Sequence, residues 1–180
     1  LSENKFIKEL DIYHKAGKLS IISDIFSIKQ GAILGVKNVF KISNEEYDSL
    51  LAEEKQYFRP ILTNNSISAG KITIYEYVWY PYDKNGIIFK EESDLTGLNF
   101  YNTRLLPNKE ILEKRTGINY WWSLTRPRNW QFIQGPRLIS NRFGNSNSFG
   151  FDKKGDCVIE EGNAFIPKKE FQTSGFYFYL

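Results

Sequence analysis

Arg115, Arg126, Arg128, Arg137 and Arg142 are five of the seven arginines in this 180-residue chain, and no acidic residue lies between Arg115 and Phe151. Interleaved with them are Tyr120, Trp121, Trp122, Trp130, Phe132, Phe143, Phe149 and Phe151. Guanidinium groups pair bidentately with phosphate or guanine, and both they and aromatic rings stack on exposed bases. A segment free of carboxylates and rich in both suits a polyanion that carries bases. The formal net charge of only +3 conceals this asymmetry, because the acids gather elsewhere, at Glu45 to Glu54, Glu91 to Asp94, and Glu160 with Glu161.

Within that stretch, Arg126 and Arg128 flank Pro127 and share a side if the chain is extended there. They are candidates for phosphates or base edges, and Arg126 could instead pair structurally with a carboxylate. Arg142 lies in a Gly/Asn loop and is the residue expected to enter a groove. Asn141, Asn145 and Asn147 could read adenine edges or simply form turns. Arg137 joins the set of candidate cations. Trp121 and Trp122 are adjacent, so on extended chain they point to opposite sides, one expected in the core and the other at the surface. Lys29, Gln30, Lys37 and Asn38 surround a glycine loop (Gly31, Gly35) whose backbone amides could approach phosphate.

Other chemistries are missing from the sequence. It has no phosphate-binding Gly-x-x-x-x-Gly-Lys loop and no Gly-x-Gly-x-x-Gly opening a helix. With one cysteine and one histidine, an internal disulfide, a Cys/His metal cluster and a histidine-based triad are excluded or disfavoured. Cys157 reads as a small core hydrophobe, and His14 as a solvated or helix-packed side chain. The acidic pairs Glu45-Glu46, Glu53-Glu54, Glu91-Glu92 and Glu160-Glu161 read as solvated surface. The chain looks like a binder and not a catalyst.

These residues need a scaffold, and a chain 41% hydrophobic and 16% aromatic is a folding one. No apolar run approaches bilayer length, no leader is visible, and a cytoplasmic location is expected. With no methionine even at position 1, the chain is expected to be a piece of a larger protein. Helices are expected over 3–15, over 44–55 after the capping box Ser43-Asn44-Glu45-Glu46, and from Pro107 through Arg115. Lys18 to Lys29 reads as a short buried element. Strands are expected at Val36 to Ile42, at 71–80 with a hairpin partner at Ile87 to Phe89, and at 137–140, 149–151 and 157–159. Hairpins broken by helices without regular alternation predict an α+β fold. It should be a single compact domain of mostly antiparallel short strands and hairpins with several helices over 1–180.

In its order of elements the chain resembles the TaqI-like C-terminal specificity domain, the target-recognition module of bacterial adenine-N6 DNA methyltransferases and restriction–modification enzymes. The likeness rests on Leu19 to Ser43, with its Gly-x-x-x-Gly loop, on Arg59 to Ile67, and on Leu105 to Arg115. It rests most on Trp122-Ser-Leu-Thr-Arg126 through Pro136-Arg-Leu-Ile139 to Phe149-Gly-Phe-Asp152. Where the family often has lysine near Pro136, this chain has Arg137, which keeps the charge. The resemblance implies sequence-specific binding of duplex DNA. It also implies a catalytic methyltransferase domain of the same polypeptide that binds S-adenosylmethionine and grips a flipped adenine. This chain itself would hold no cofactor and no metal. A carbohydrate- or protein-binding module using the 11 tyrosines and 4 tryptophans is the rival reading.

Overall fold

The computed structural model of the chain describes residues 3–142 and 148–171. Helices and several small, mostly antiparallel sheets make the fold α+β, as the pattern of the sequence implies. The chain gathers into two compact units, Leu1–Ile28 with Phe165–Leu180 and Lys29–Ala164.

In the smaller unit the helix Glu3–Lys15 is followed by a helical turn at Ile22–Ile25. His14 meets Asp24 at 2.9 Å, and Phe26 packs edge-on against Phe165 at 6.1 Å. The 18–29 stretch is not the buried element its apolar content suggests, since Leu19, Ile21 and Ile22 are exposed. Among the described residues no helix is long and apolar enough to cross a membrane.

The larger unit is built on a four-stranded sheet ordered Val158–Ile159, Phe58–Leu62, Glu76–Trp79, Lys41–Ser43. Phe58–Leu62 contains Pro60, yet it is paired on both sides. Tyr80 donates its N–H to the Tyr57 carbonyl, which sets the hydrogen-bonded pairs at Arg59/Val78 and Ile61/Glu76. Pro60 opposes Tyr77 at a non-bonded pair, and parallel pairing with Val158 begins only at Ile61, so its missing N–H is needed on neither side. Arg137–Asn141 pairs antiparallel with Phe149–Asp152, and a ribbon of Ile67–Ser68 with Lys71–Ile72 packs over Gly150.

Several expected elements are shorter or of another type. The capping box forms, with Ser43 Oγ accepting from Glu46 N and Ser43 N donating to Glu46 Oε2. The helix it starts ends at Ser49, however, and a second begins at Ala52, because Leu50 and Leu51 are extended. Val36 to Ile42 is not one strand but a helical turn, Lys37–Phe40, leading into Lys41–Ser43. The 71–80 stretch divides between the ribbon and the first sheet.

The core gathers around Trp79, which stacks with Phe89 and Phe100 and meets Phe58 edge-on. Its indole donates to the Trp122 carbonyl at 3.2 Å. Two acidic residues expected at the surface are buried. Glu54 is 1% exposed, and its carboxylate accepts the backbone N–H groups of Asn99 and Phe100, capping the helical turn there. The Glu160 side chain is 5% exposed and paired with Lys37. Replacing Glu54→Ala strands two N–H donors beneath the surface and should cost about 2 kcal/mol. Urea denaturation checks this, with Glu54→Gln expected to recover part of the loss.

Candidate functional site

Arginines offer five N–H donors and must find acceptors wherever they are buried, and this separates the candidate cations into two groups. Arg115 donates to the carbonyls of Leu112, Trp121 and Ser123 while its guanidinium lies 4.9 Å from the Phe40 ring. Arg59 does the same for Gln131, Gly155 and Asp156. Desolvation is the main cause that lowers both guanidinium pKa values. Arg137 is 2% exposed and paired with Asp152 at 3.0 Å, with Trp130 against its guanidinium face at 5.2 Å. It is therefore a structural arginine, which corrects its inclusion among surface candidates.

The adjacent tryptophans are corrected in the same way. Both are buried, Trp121 at 8% and Trp122 at 5%. The backbone there is a turn and not an extended strand, so neighbouring side chains are not sent to opposite faces. Trp121 donates to Glu92 and Trp122 to the Phe89 carbonyl. Lys37 is exposed but held by Glu160 and Glu161, each at 2.9 Å, and its pKa is raised chiefly by the Glu160 contact. Asn38 is exposed, with its carbonyl accepting from Arg104.

Of the remaining candidates, Gln30 and Arg128 converge. Ile33 and Arg126 exchange backbone hydrogen bonds at 2.9 Å, laying residues 31–33 beside 126–128 although nearly a hundred positions separate them. Arg128 donates from Nε to the Gly31 carbonyl at 3.0 Å and from Nη2 to Gln30 Oε1 at 3.4 Å. Trp130 donates its indole N–H to the Gln30 carbonyl at 3.0 Å. Arg126 is exposed, and among the described residues neither it nor Lys29 has a side-chain hydrogen bond or an ion pair. Asn141 is half-buried and donates to the Ile67 carbonyl, and Arg142 is exposed with its N–H on Asn64 Oδ1. Asn145 and Asn147 lie outside the described residues.

Two backbone features make this convergence possible. A Cβ on Gly31 would stand 2.6 Å from the Glu160 carbonyl oxygen, so only glycine allows the close approach. Arg128 has φ +66, a conformation that a non-glycine residue keeps only where its surroundings hold it. Trp130 was not among the expected site residues, because its place on the rim depends on the left-handed backbone at Arg128 and the helical turn Asn129–Phe132 that follows. Nor was Asn64, for which no sequence signal exists.

Asp152, Asp156 and Cys157 offer ligand atoms close enough for a metal ion. Asp152 is already taken by Arg137 and by the N–H groups of Gly155 and Cys157. Burial above all, then the nearby carboxylates, pushes the Cys157 thiol far above its ordinary pKa, so the thiolate a metal needs is disfavoured. An open cleft of about 520 Å³ lies elsewhere in the larger unit, bordered by Tyr82, Tyr120, Phe132, Asn85 and Asn119, with Lys84 its one charged residue.

No family model and no curated protein matches the sequence. Among solved structures 17 chains match. One is the Type IIL restriction-modification enzyme MmeI in complex with DNA, at a TM-score of 0.57 and 14% identity over 82% of this chain. The likeness is one of fold, and the chain spans a fifth of that enzyme's length, 20%.

Removing Arg137 should unfold rather than merely disarm the protein. Arg137→Ala leaves the Asp152 carboxylate buried without its cation, and a loss of about 3–5 kcal/mol is expected. Thermal melting of this variant beside Arg126→Ala, which should melt like wild type, checks the division.

Proposed function

We propose that this chain is a DNA target-recognition domain of the TaqI-like kind its sequence resembles. It would belong to a bacterial adenine-N6 DNA methyltransferase or restriction–modification enzyme. It would bind duplex DNA site-specifically and orient the target adenine toward a catalytic domain outside this chain. The observation that carries the reading is the rim where Arg128 and Trp130 meet Gln30 and Gly31, next in the chain to the exposed Arg126 and without a carboxylate partner among the described residues. The fold shared with a DNA-bound restriction-modification enzyme supports it. S-adenosylmethionine would be held by the catalytic domain, and no residue of this chain is assigned to it.

Lys29 and Arg126 would contact phosphates, which fix register without reading sequence, while Arg142 would enter a groove. The carbohydrate rival is weakened by the burial of Trp79, Trp121 and Trp122, which leaves only Trp130 partly open. Its one foothold is the cleft at Tyr82 and Phe132.

Salt separates the two readings. Neutralising two to four phosphates gives a slope of log K against log salt of roughly −2 to −4. Arg126→Ala should weaken specific and random duplexes alike and flatten the slope by about 1. Fluorescence anisotropy across a salt series measures both, and a slope near zero would favour the cleft and its neutral ligand.

A further inference from the structure

A guanidinium only donates hydrogen bonds, so whichever amide atom of Gln30 faces Arg128 Nη2 must be the oxygen. That contact turns the exposed Gln30 amide so that its oxygen is directed at Arg128 and its Nε2 amine away from it. The Gln30 backbone is held independently by Trp130, and the Arg128 guanidinium by the Gly31 carbonyl. Among the described residues, Gln30 Nε2 and Arg128 Nη1 have no protein partner, and both are donors. We propose that Gln30 and Arg128 form a donor-only pair that reads guanine through its two major-groove acceptors. The proposal rests on the DNA-binding reading above and adds to it which residues select a base and which base they select.

The chemistry discriminates in a definite direction. Guanine presents N7 and O6, both acceptors, whereas adenine places an amine beside N7, where it would confront a second donor. An unengaged glutamine is the usual partner of adenine, because its oxygen accepts from that amine while its own amine donates. Arg128 removes this option by claiming the oxygen. It thereby acts as a positioning residue for Gln30 as well as a contact of its own, and the φ of +66 at Arg128 is the backbone condition that brings its side chain back onto Gly31 and Gln30.

The test is enrichment from a pool of randomised duplexes by the full chain as wild type, Gln30→Ala, Gln30→Glu and Arg128→Lys. Wild type should enrich guanine at one position by roughly 5- to 100-fold. Gln30→Ala should lose that enrichment at the same position and nowhere else. Gln30→Glu keeps an oxygen for Arg128 but turns a second oxygen outward, so the preferred base there should become one bearing an amine, cytosine or adenine. Arg128→Lys keeps the charge but loses the planar fork that holds the Gln30 oxygen, and it should lower the guanine preference at that same position more than the preference at any other. An unchanged preferred sequence in both Gln30 variants overturns the proposal, as does loss at different positions for Gln30 and Arg128. Failure of the wild-type chain to bind any duplex overturns the DNA-binding reading itself, and this pairing with it.

Discussion

Inside the larger unit the Arg137 guanidinium and the Asp152 carboxylate are shut away from water, and the surrounding backbone is arranged so that both stay satisfied. Asp152 accepts from Arg137 and from the N–H groups of Gly155 and Cys157, while Arg137 also donates to the Cys157 carbonyl. Taking two charges out of water costs about as much as their attraction returns. The pair therefore contributes geometry more than net energy. It sits where Arg137 and Asp152 oppose each other across adjacent strands, and it closes the turn that delivers Val158 to its place beside Ile61. Trp130 rests on the same guanidinium and reaches the Gln30 carbonyl from there. The exposed rim thus depends on a charge that never meets solvent.

Arg59 and Arg115 extend the same logic. Each gathers carbonyls from chain that is neither helix nor sheet, around 155–156 in one case and 121–123 in the other. Irregular backbone can be buried only if its polar groups find partners, and a fork of five donors supplies several at once. Long connections between short elements are thereby kept in fixed positions. Arginine content in this protein is consequently divided between holding loops together and facing outward.

That division explains what could be read in advance. The capping box at Ser43 and the strand character of Glu76–Trp79 are local properties, and each is visible in a few adjacent residues. The strand through Pro60 is not, because its tolerance depends on a register fixed by Tyr57 and Tyr80. The acid-free run from Arg115 to Phe151 marks the right neighbourhood for the rim, yet it cannot separate Arg126 from Arg137. Their difference lies in Asp152, one residue beyond the end of that run. The burial of Trp121 with Trp122 was equally hidden, since it requires acceptors at Glu92 and Phe89 some thirty positions away. Gln30 was legible only as a polar residue near a glycine, and its orientation comes from a partner on a distant segment.

The placement of Cys157 has a practical side. It is the chain's single thiol, 6% exposed, and its proton is held far more tightly than an ordinary cysteine's. Maleimides and iodoacetamides attack the thiolate and need access to it, so the native residue is shielded from them twice over. A cysteine introduced on the surface would then be the one reactive handle on the folded protein. Dyes, spin labels or crosslinkers could be attached beside the rim without first mutating Cys157, and incorporation of a second label would report opening of the core around Arg137.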